Sequence, residues 1–273
     1  MKRILLLITI LGLPMMMWAA KVDTLGVYSK SMDKEIKTCV VLPQGYTESG
    51  NPYPVIYLLH GYSGNYASWV KDFPQVIEFA DLYNTIVVGV DGGYSSWYFD
   101  SPVDSLFRYE TFVAREMTEF MDSRFNTIDN PQGRAVSGLS MGGHGALYVA
   151  FRNQDVFGAA GSMSGGVDIR PFPVNWEIAK RLGSMAQYPE NWEDNSVINL
   201  LHLVKNDDMA IIIDCGIDDF FMDVNRKLHE KMLYMNIKHD FIVRPGAHNW
   251  AYWDNALQYQ FLYFHNFFEK ENR

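Results

Sequence analysis

Short apolar runs bounded by turn residues dominate the chain from residue 35 onward. Most of them are continuously apolar, as expected of strands buried on both faces of a parallel sheet, although the last is a weaker example. Gly- and Pro-rich stretches follow several of the runs and indicate turns. The predicted strands span residues 35–43, 55–60, 85–91, 134–140, 157–164, 209–216 and 240–246.

Amphipathic stretches lie between these strands. In the first of them Phe112, Met117 and Met121 fall near one stripe, which is typical of a helix. Strands that alternate with helices indicate βαβ units, and therefore an α/β fold with a mostly parallel sheet and helices on both faces. Ligands of such sheets bind beyond the carboxyl ends of the strands. The predicted helices span residues 105–125, 141–153, 220–236 and 249–268.

The first twenty residues differ from the rest of the chain. Lys2 and Arg3 precede an apolar run, and Ala19 and Ala20 follow it. This order is typical of a secretory signal peptide. The apolar run is short and contains Pro14, which argues against a stable membrane anchor. We therefore expect a signal peptide at residues 1–20, a single domain at 21–273, and a secreted or periplasmic protein.

Composition narrows the range of partners. The chain has 273 residues, 48% of them hydrophobic, and a formal net charge of −9. An acidic chain without basic clusters argues against nucleic acid and anionic membranes as partners. The two cysteines, Cys39 and Cys215, both fall in predicted strands. We expect buried free thiols, because their spacing matches no metal site.

Candidate chemistry appears where the predicted strands end. Gly138-Leu139-Ser140-Met141-Gly142 fits the G-x-S-x-G pattern between a strand and a helix. In that setting the serine occupies a strained turn, and side chains two residues to either side of it would collide. Acidic residues follow a later strand, and His248 follows the last one. The order serine, acid, histidine is the one expected of an α/β-hydrolase triad.

Roles follow from these positions. His248 is the predicted general base for Ser140, because it follows a late strand and a glycine turn. The acid is Asp219 or Asp218, and we favour Asp219 because it stands at the start of the next helix. The backbone N–H groups of Met141 and Tyr62 are the predicted oxyanion donors.

Four stretches resemble one known family: YPVIYLLHGYSGNYASW, GLSMGGHGAL, CGIDDFF and GAHNWAYW. They are similar to the putative esterase, or esterase D-like, family of α/β-hydrolases from about Val22 to Phe268. That family includes acetylxylan and feruloyl esterases of carbohydrate esterase family 1, tributyrin esterases, S-formylglutathione hydrolases and mycolyltransferases. The resemblance implies a sheet of about eight strands, supports Asp219 as the acid and Tyr62 and Met141 as donors, and implies neither metal nor organic cofactor.

One stretch, residues 167–206, matches nothing in the family pattern. Its length predicts a helical insertion, which we expect over the active site. Aromatic residues near the predicted site are candidate walls of an ester-binding pocket, suited to a sugar or an aryl acyl group. The candidates are Trp69, Trp97, Tyr98, Trp176 and Trp250.

These inferences predict a secreted serine carboxylesterase. Its expected substrates are short-chain acyl or feruloyl esters, on a small molecule or a polysaccharide, and the sequence leaves its oligomeric state open. Three alternatives remain at this point: an acyltransferase of the mycolyltransferase type, a thioesterase like S-formylglutathione hydrolase, and a non-catalytic carbohydrate-binding protein on the same fold.

Overall fold

A computed structural model describes residues 20–205 and 209–271. The predicted signal peptide therefore lies outside the described residues, apart from Ala20. Within the described part, no helix is long and apolar enough to cross a bilayer. The strands are β1 (Lys21–Ser29), β2 (Lys34–Leu42), β3 (Val55–Leu59), β4 (Ile86–Val90), β5 (Arg134–Leu139), β6 (Ala159–Met163), β7 (Ala210–Gly216) and β8 (Asp240–Arg244).

These strands form one eight-stranded sheet in the order β1-β2-β4-β3-β5-β6-β7-β8. The pairs β1–β2 and β2–β4 are antiparallel, and the remaining pairs are parallel. Parallel neighbours align their carboxyl ends, so the residues that follow β3, β5, β7 and β8 meet at one edge. The predicted α/β architecture is confirmed.

Helices cover both faces of the sheet. They are α1 (Ser68–Asp72), α2 (Gln75–Leu82), α3 (Tyr109–Thr111), α4 (Thr118–Arg124), α5 (Met141–Arg152), α6 (Ile178–Leu182), α7 (Pro189–Asp194), α8 (Met222–Tyr234) and α9 (Trp250–Glu271). A π-helical stretch, Phe112–Met117, joins α3 to α4 without a break.

Alternation along β3 shows why the central strands have no polar face. Val55, Tyr57 and Leu59 pack in the core on the side of α5 and α8. Ile56 and Leu58 pack in the second core on the side of α1, α2 and α9. Both faces of the strand are therefore buried, and every position is apolar.

Several elements differ from the sequence prediction. The edge strand β1 and the short helices α1 and α2 were not predicted. The helix predicted over residues 105–125 begins later, at Tyr109. A turn precedes it, in which the Ser101 hydroxyl accepts the backbone N–H of Asp104.

The stretch at residues 167–205 does contain helical elements. These are α6, α7 and two single 3₁₀ turns, Val197–Asn199 and Leu201–Leu203. Much of the stretch packs into the core beside α5, where Ile178 and Trp192 are fully buried. Its packing therefore serves the fold as well as any site it borders.

The two cysteines are free and buried, as predicted. Burial raises the pKa of Cys39 to about 11 and also raises that of Cys215. A thiol reacts as its thiolate, and burial disfavours the thiolate of both side chains at neutral pH.

Candidate active site

Ser140 occupies a sharp turn between β5 and α5. Its φ is 57° and its ψ is −118°, which is strained for a residue with a side chain. The Ser140 N–H donates to the carbonyl oxygen of Met163 at 2.9 Å, which fixes the turn against the end of β6. The turn holds the hydroxyl at the carboxyl edge of the sheet.

Two glycines make this turn possible. A Cβ on Gly142 would overlap the carbonyl oxygen of Leu59, and one on Gly138 would lie 2.6 Å from the same oxygen. Backbone atoms cannot withdraw as a flexible side chain can. The predicted reason for these glycines, a lack of space on either side of Ser140, is therefore confirmed.

A continuous hydrogen-bonded relay starts at Ser140. The Nε2 atom of His248 lies 2.9 Å from Ser140 Oγ, and its Nδ1 lies 2.9 Å from Asp219 Oδ2. Because a carboxylate only accepts, Nδ1 carries the proton and Nε2 is left to accept from the serine hydroxyl. This is the tautomer that a general base needs.

Of the two candidate acids, Asp219 contacts the imidazole. Its side chain is buried, and Oδ1 also accepts the backbone N–H of Phe221 at 2.8 Å. Asp218 is exposed, and its backbone N–H donates to the carbonyl of Gly246. Gly216 lies so close to Gly246 that a Cβ would come within 2.6 Å of its carbonyl carbon. This approach brings the ends of β7 and β8 together.

The two predicted amide donors lie beside Ser140. A Cβ on Gly61 would come within 3.5 Å of Ser140 Cβ, so the loop after β3 touches the serine. Tyr62 is the next residue in that loop, and Met141 is the first residue of α5. Among the described residues, neither N–H meets an acceptor at hydrogen-bond distance. Both donors are therefore available to a bound oxygen atom.

His60 holds the Gly61 loop. Its Nε2 accepts the backbone N–H of Gly92 at 2.8 Å, so the other ring nitrogen carries the proton and donates to the Gly61 carbonyl at 2.8 Å. The hydroxyl of Tyr98 donates to the His60 carbonyl at 3.1 Å. The buried side chains of His60 and Tyr98 thus hold the backbone of this loop in place.

A cavity of about 500 Å³ opens at Ser140 and His248. Of the predicted pocket residues, Trp69, Trp176 and Trp250 line it. The prediction for Trp97 and Tyr98 was wrong: they are 1% and 0% exposed and do not line the cavity. They belong to the layer beneath it, where the ring of Tyr98 packs against Gly145.

Sequence reasoning also missed residues of the cavity wall. Phe73, Phe220 and Trp253 line the cavity together with the predicted tryptophans. Phe220 could have been found, because it directly follows the favoured acid at the end of β7. The other two lie on helix-forming stretches, and only the packing of the helices brings them to the site.

A larger groove of about 970 Å³ lies at the other end of the strands, where β6, β7 and β8 begin. It is lined by lysines, other polar residues and apolar side chains such as Phe151 and Phe267, and Ser140, His248 and Asp219 lie elsewhere. Within residues 20–205 and 209–271, no group of three or more His, Cys, Asp or Glu side chains could hold a metal ion.

Comparison with known proteins shows which family the chain is related to. The family model described as "Putative esterase" matches residues 29–264. Esterase Rv1288 of Mycobacterium tuberculosis is 37% identical over 134 residues, which is 48% of this chain but only 29% of that protein. The acetyl esterase of Caldicellulosiruptor saccharolyticus is 26% identical over 253 residues, covering 85% of this chain and 94% of that enzyme.

A solved structure described as a ferulic acid esterase has the same fold. It superimposes with a TM-score of 0.79 at 28% identity, covering 92% of this chain and 99% of that structure. The family match extends over most of the described residues, including the turn at Ser140 and the loops that carry Asp219 and His248. The chain belongs to the putative esterase family and has the α/β-hydrolase fold of that family.

Proposed function

We propose that the chain hydrolyses carboxylic esters through an acyl-enzyme formed on Ser140. The observation that carries the proposal is the hydrogen-bonded relay from Asp219 through His248 to Ser140. His248 Nδ1 lies 2.9 Å from Asp219 Oδ2, and its Nε2 lies 2.9 Å from Ser140 Oγ. Nucleophile and base within hydrogen-bond reach, with a third group that orients the base, are the arrangement that nucleophilic catalysis needs.

Each group of the site then has a defined role. His248 takes the proton of Ser140 as Oγ attacks the ester carbonyl, and returns it to the leaving alcohol. The backbone amides of Tyr62 and Met141 stabilise the oxyanion of the tetrahedral intermediate. Water, activated by His248, releases the acid in the second half of the reaction. Asp219 keeps the imidazole in the required tautomer and stabilises its charged form.

We infer short-chain acyl and feruloyl esters as substrates, in particular on carbohydrate. Support comes from relatives described as an acetyl esterase and a ferulic acid esterase, and from a cavity of about 500 Å³ with aromatic walls. We further infer that a signal peptide at residues 1–20 directs export and is then removed, and that residues 21–273 form one catalytic domain. Hydrolysis rates on acetyl, butyryl and feruloyl esters and on acetylated xylan define the substrate range.

Hydrolysis of p-nitrophenyl acetate tests the relay. We expect Ser140→Ala to remove the activity and Asp219→Asn to lower kcat by roughly 10³- to 10⁴-fold, because the amide favours the wrong imidazole tautomer. Asp218→Asn is the matched control, since it removes a neighbouring carboxylate that is exposed. We expect it to keep kcat within about threefold.

Two results would contradict the proposal. One is activity of the purified Ser140→Ala protein equal to that of the wild type. The other is a wild-type protein that hydrolyses no short-chain ester while circular dichroism shows it folded. Equal losses in Asp218→Asn and Asp219→Asn would instead reject Asp219 as the orienting acid.

A further inference from the structure

Phe220 and Trp176 form an aromatic wall on one side of the cavity. Their rings are nearly parallel, at 19°, with centroids 5.6 Å apart. The Phe220 ring also lies over the imidazole of His248, with centroids 4.1 Å apart. Phe220 is nevertheless 52% exposed, whereas its neighbour Phe221 is buried. A large apolar ring is thus left open to a ligand beside the proposed base.

The position of this wall relative to the reaction is fixed by geometry. The leaving oxygen must lie within about 2.6–3.2 Å of His248 Nε2 to receive its proton. Since the Phe220 ring contacts that imidazole at a tilt of 35°, with centroids 4.1 Å apart, a group attached to the leaving oxygen lies close to Phe220 and so to the wall that it forms with Trp176. The oxyanion is directed instead to the amides of Tyr62 and Met141. The wall therefore faces the alcohol part of the ester.

Backbone strain supports a role for Trp176 in ligand binding. Trp176 and Glu177 have φ values of 46° and 57°, in the left-handed region that is strained for residues other than glycine. The indole N–H of Trp97 donates to the Trp176 carbonyl at 3.2 Å. The hydroxyl of Ser95 donates to the Glu177 carboxylate at 2.8 Å. These contacts hold the strained turn, and strain of this kind is concentrated at ligand clamps.

We propose that Phe220 and Trp176 bind the alcohol part of the ester and select alcohols that carry a ring. This inference rests on the proposed esterase function. Both an aryl alcohol and a sugar present a ring face that can stack on an aromatic side chain, and that shared chemistry is what the wall recognises. Stacking of rings contributes about 0.5–1.5 kcal/mol per pair, which corresponds to roughly 2- to 12-fold in kcat/KM.

Three acetates that differ only in the alcohol test the wall: ethyl acetate, phenyl acetate and an acetylated methyl xyloside. The measured quantity is kcat/KM, because it reports the step in which the alcohol is still attached. For Phe220→Ala and Trp176→Ala we expect the ratio of a ring-bearing ester to ethyl acetate to fall about 3- to 10-fold. A fall confined to phenyl acetate identifies an aryl alcohol, and a fall confined to the xyloside ester identifies a sugar.

Further variants separate recognition from other effects. Trp97→Phe keeps an aromatic side chain, although a smaller one, and removes the indole N–H that donates to the Trp176 carbonyl, so we expect a smaller fall in the same ratio. Tyr234→Ala removes an exposed ring far from the cavity, and its ratio should match the wild type. Equal losses on all three esters in Phe220→Ala would mean that the ring only shields His248, and would overturn the proposal.

Binding without turnover gives an independent readout. In Ser140→Ala, phenol and methyl xyloside should quench tryptophan fluorescence, and adding Phe220→Ala should weaken the tighter of the two at least threefold. Unchanged affinity in the double variant would contradict the wall. A wild type that turns over none of the three acetates would contradict the esterase function instead, so the two failures are distinguishable.

Discussion

At the scale of single residues, His144 on the helix that follows Ser140 makes the stability of the fold depend on pH. It is fully buried on α5, and its Nδ1 lies 3.0 Å from the Gly166 carbonyl, while Nε2 has no partner among the described residues. Burial lowers its pKa to about 4, although the bond to Gly166 and the charge of Asp168 act in the opposite direction. The folded protein therefore holds this imidazole neutral where the unfolded chain would protonate it.

The consequence is a loss of stability in mild acid. Below about pH 6.5 the unfolded state binds a proton that the folded state does not, so the free energy of unfolding falls by about 1.4 kcal/mol per pH unit until about pH 4. We expect the wild type to lose about 2 kcal/mol more than His144→Gln between pH 7 and pH 5, by urea denaturation. Parallel losses in the two proteins would contradict this prediction.

Single residues differ in how well the sequence identifies them. The sequence singles out Ser140 and His248 because a strand end and a glycine turn define their positions, both of which are local signals, and the structure brings the two side chains within 2.9 Å. Trp97 and Tyr98 were assigned to the pocket wrongly, because an aromatic residue beside a strand end can point into the core or into a cleft. Local sequence does not distinguish these cases, since burial depends on what the rest of the chain packs above the residue.

At the scale of elements, one carboxylate in β7 ties down the loop that carries His248. Asp214 is buried and accepts hydrogen bonds from Arg244, the last residue of β8, and from Tyr252 in the first turn of α9. These two residues flank the loop on either side of His248. Burial raises the pKa of Asp214, although Tyr252 and Arg244 oppose the shift.

Loosening that tie should affect turnover more than binding. We expect Asp214→Asn to lower kcat about tenfold with KM nearly unchanged, because His248 is less well held while the cavity wall is intact. Tyr252→Phe, which releases only one side of the loop, should cost less, and the double variant should resemble Asp214→Asn alone. Steady-state kinetics on p-nitrophenyl acetate measure this, and circular dichroism checks that each variant is folded. Additive losses, or a rise in KM with kcat unchanged, would contradict the prediction.

The elements themselves were predictable where they are buried on both sides. The central strands and the helices α5, α8 and α9 follow from continuous apolar runs and long amphipathic stretches. The strand β1 lies at the edge of the sheet, has exposed positions along most of its length and contains Gly26, so it lacks such a run. The helices α1 and α2 have five and eight residues, too few for a clear helical period.

At the scale of the whole molecule, we expect the exported form to start near residue 21. Lys2, Arg3 and the apolar run predict cleavage close to Ala20, and the sheet begins at the next residue, Lys21. N-terminal sequencing of protein recovered from the periplasm or medium of an expressing bacterium measures the site. A protein that keeps residues 1–20 and stays in the cytoplasm would contradict export. Replacing Lys2 and Arg3 by Glu provides the matched control.

Trp176 lies in a different part of the chain from the residues of the proposed reaction, so substitutions near it and substitutions near them have different consequences. The residues with proposed catalytic roles lie in loops or at a helix start directly after the strands, whereas Trp176 belongs to the stretch between β6 and β7. Substitutions at the positions of that stretch outside the core can therefore accumulate without moving Ser140, His248 or Asp219. Related chains can therefore change their preference for the alcohol part of the ester through substitutions in this one connection. The chemical reaction stays the same.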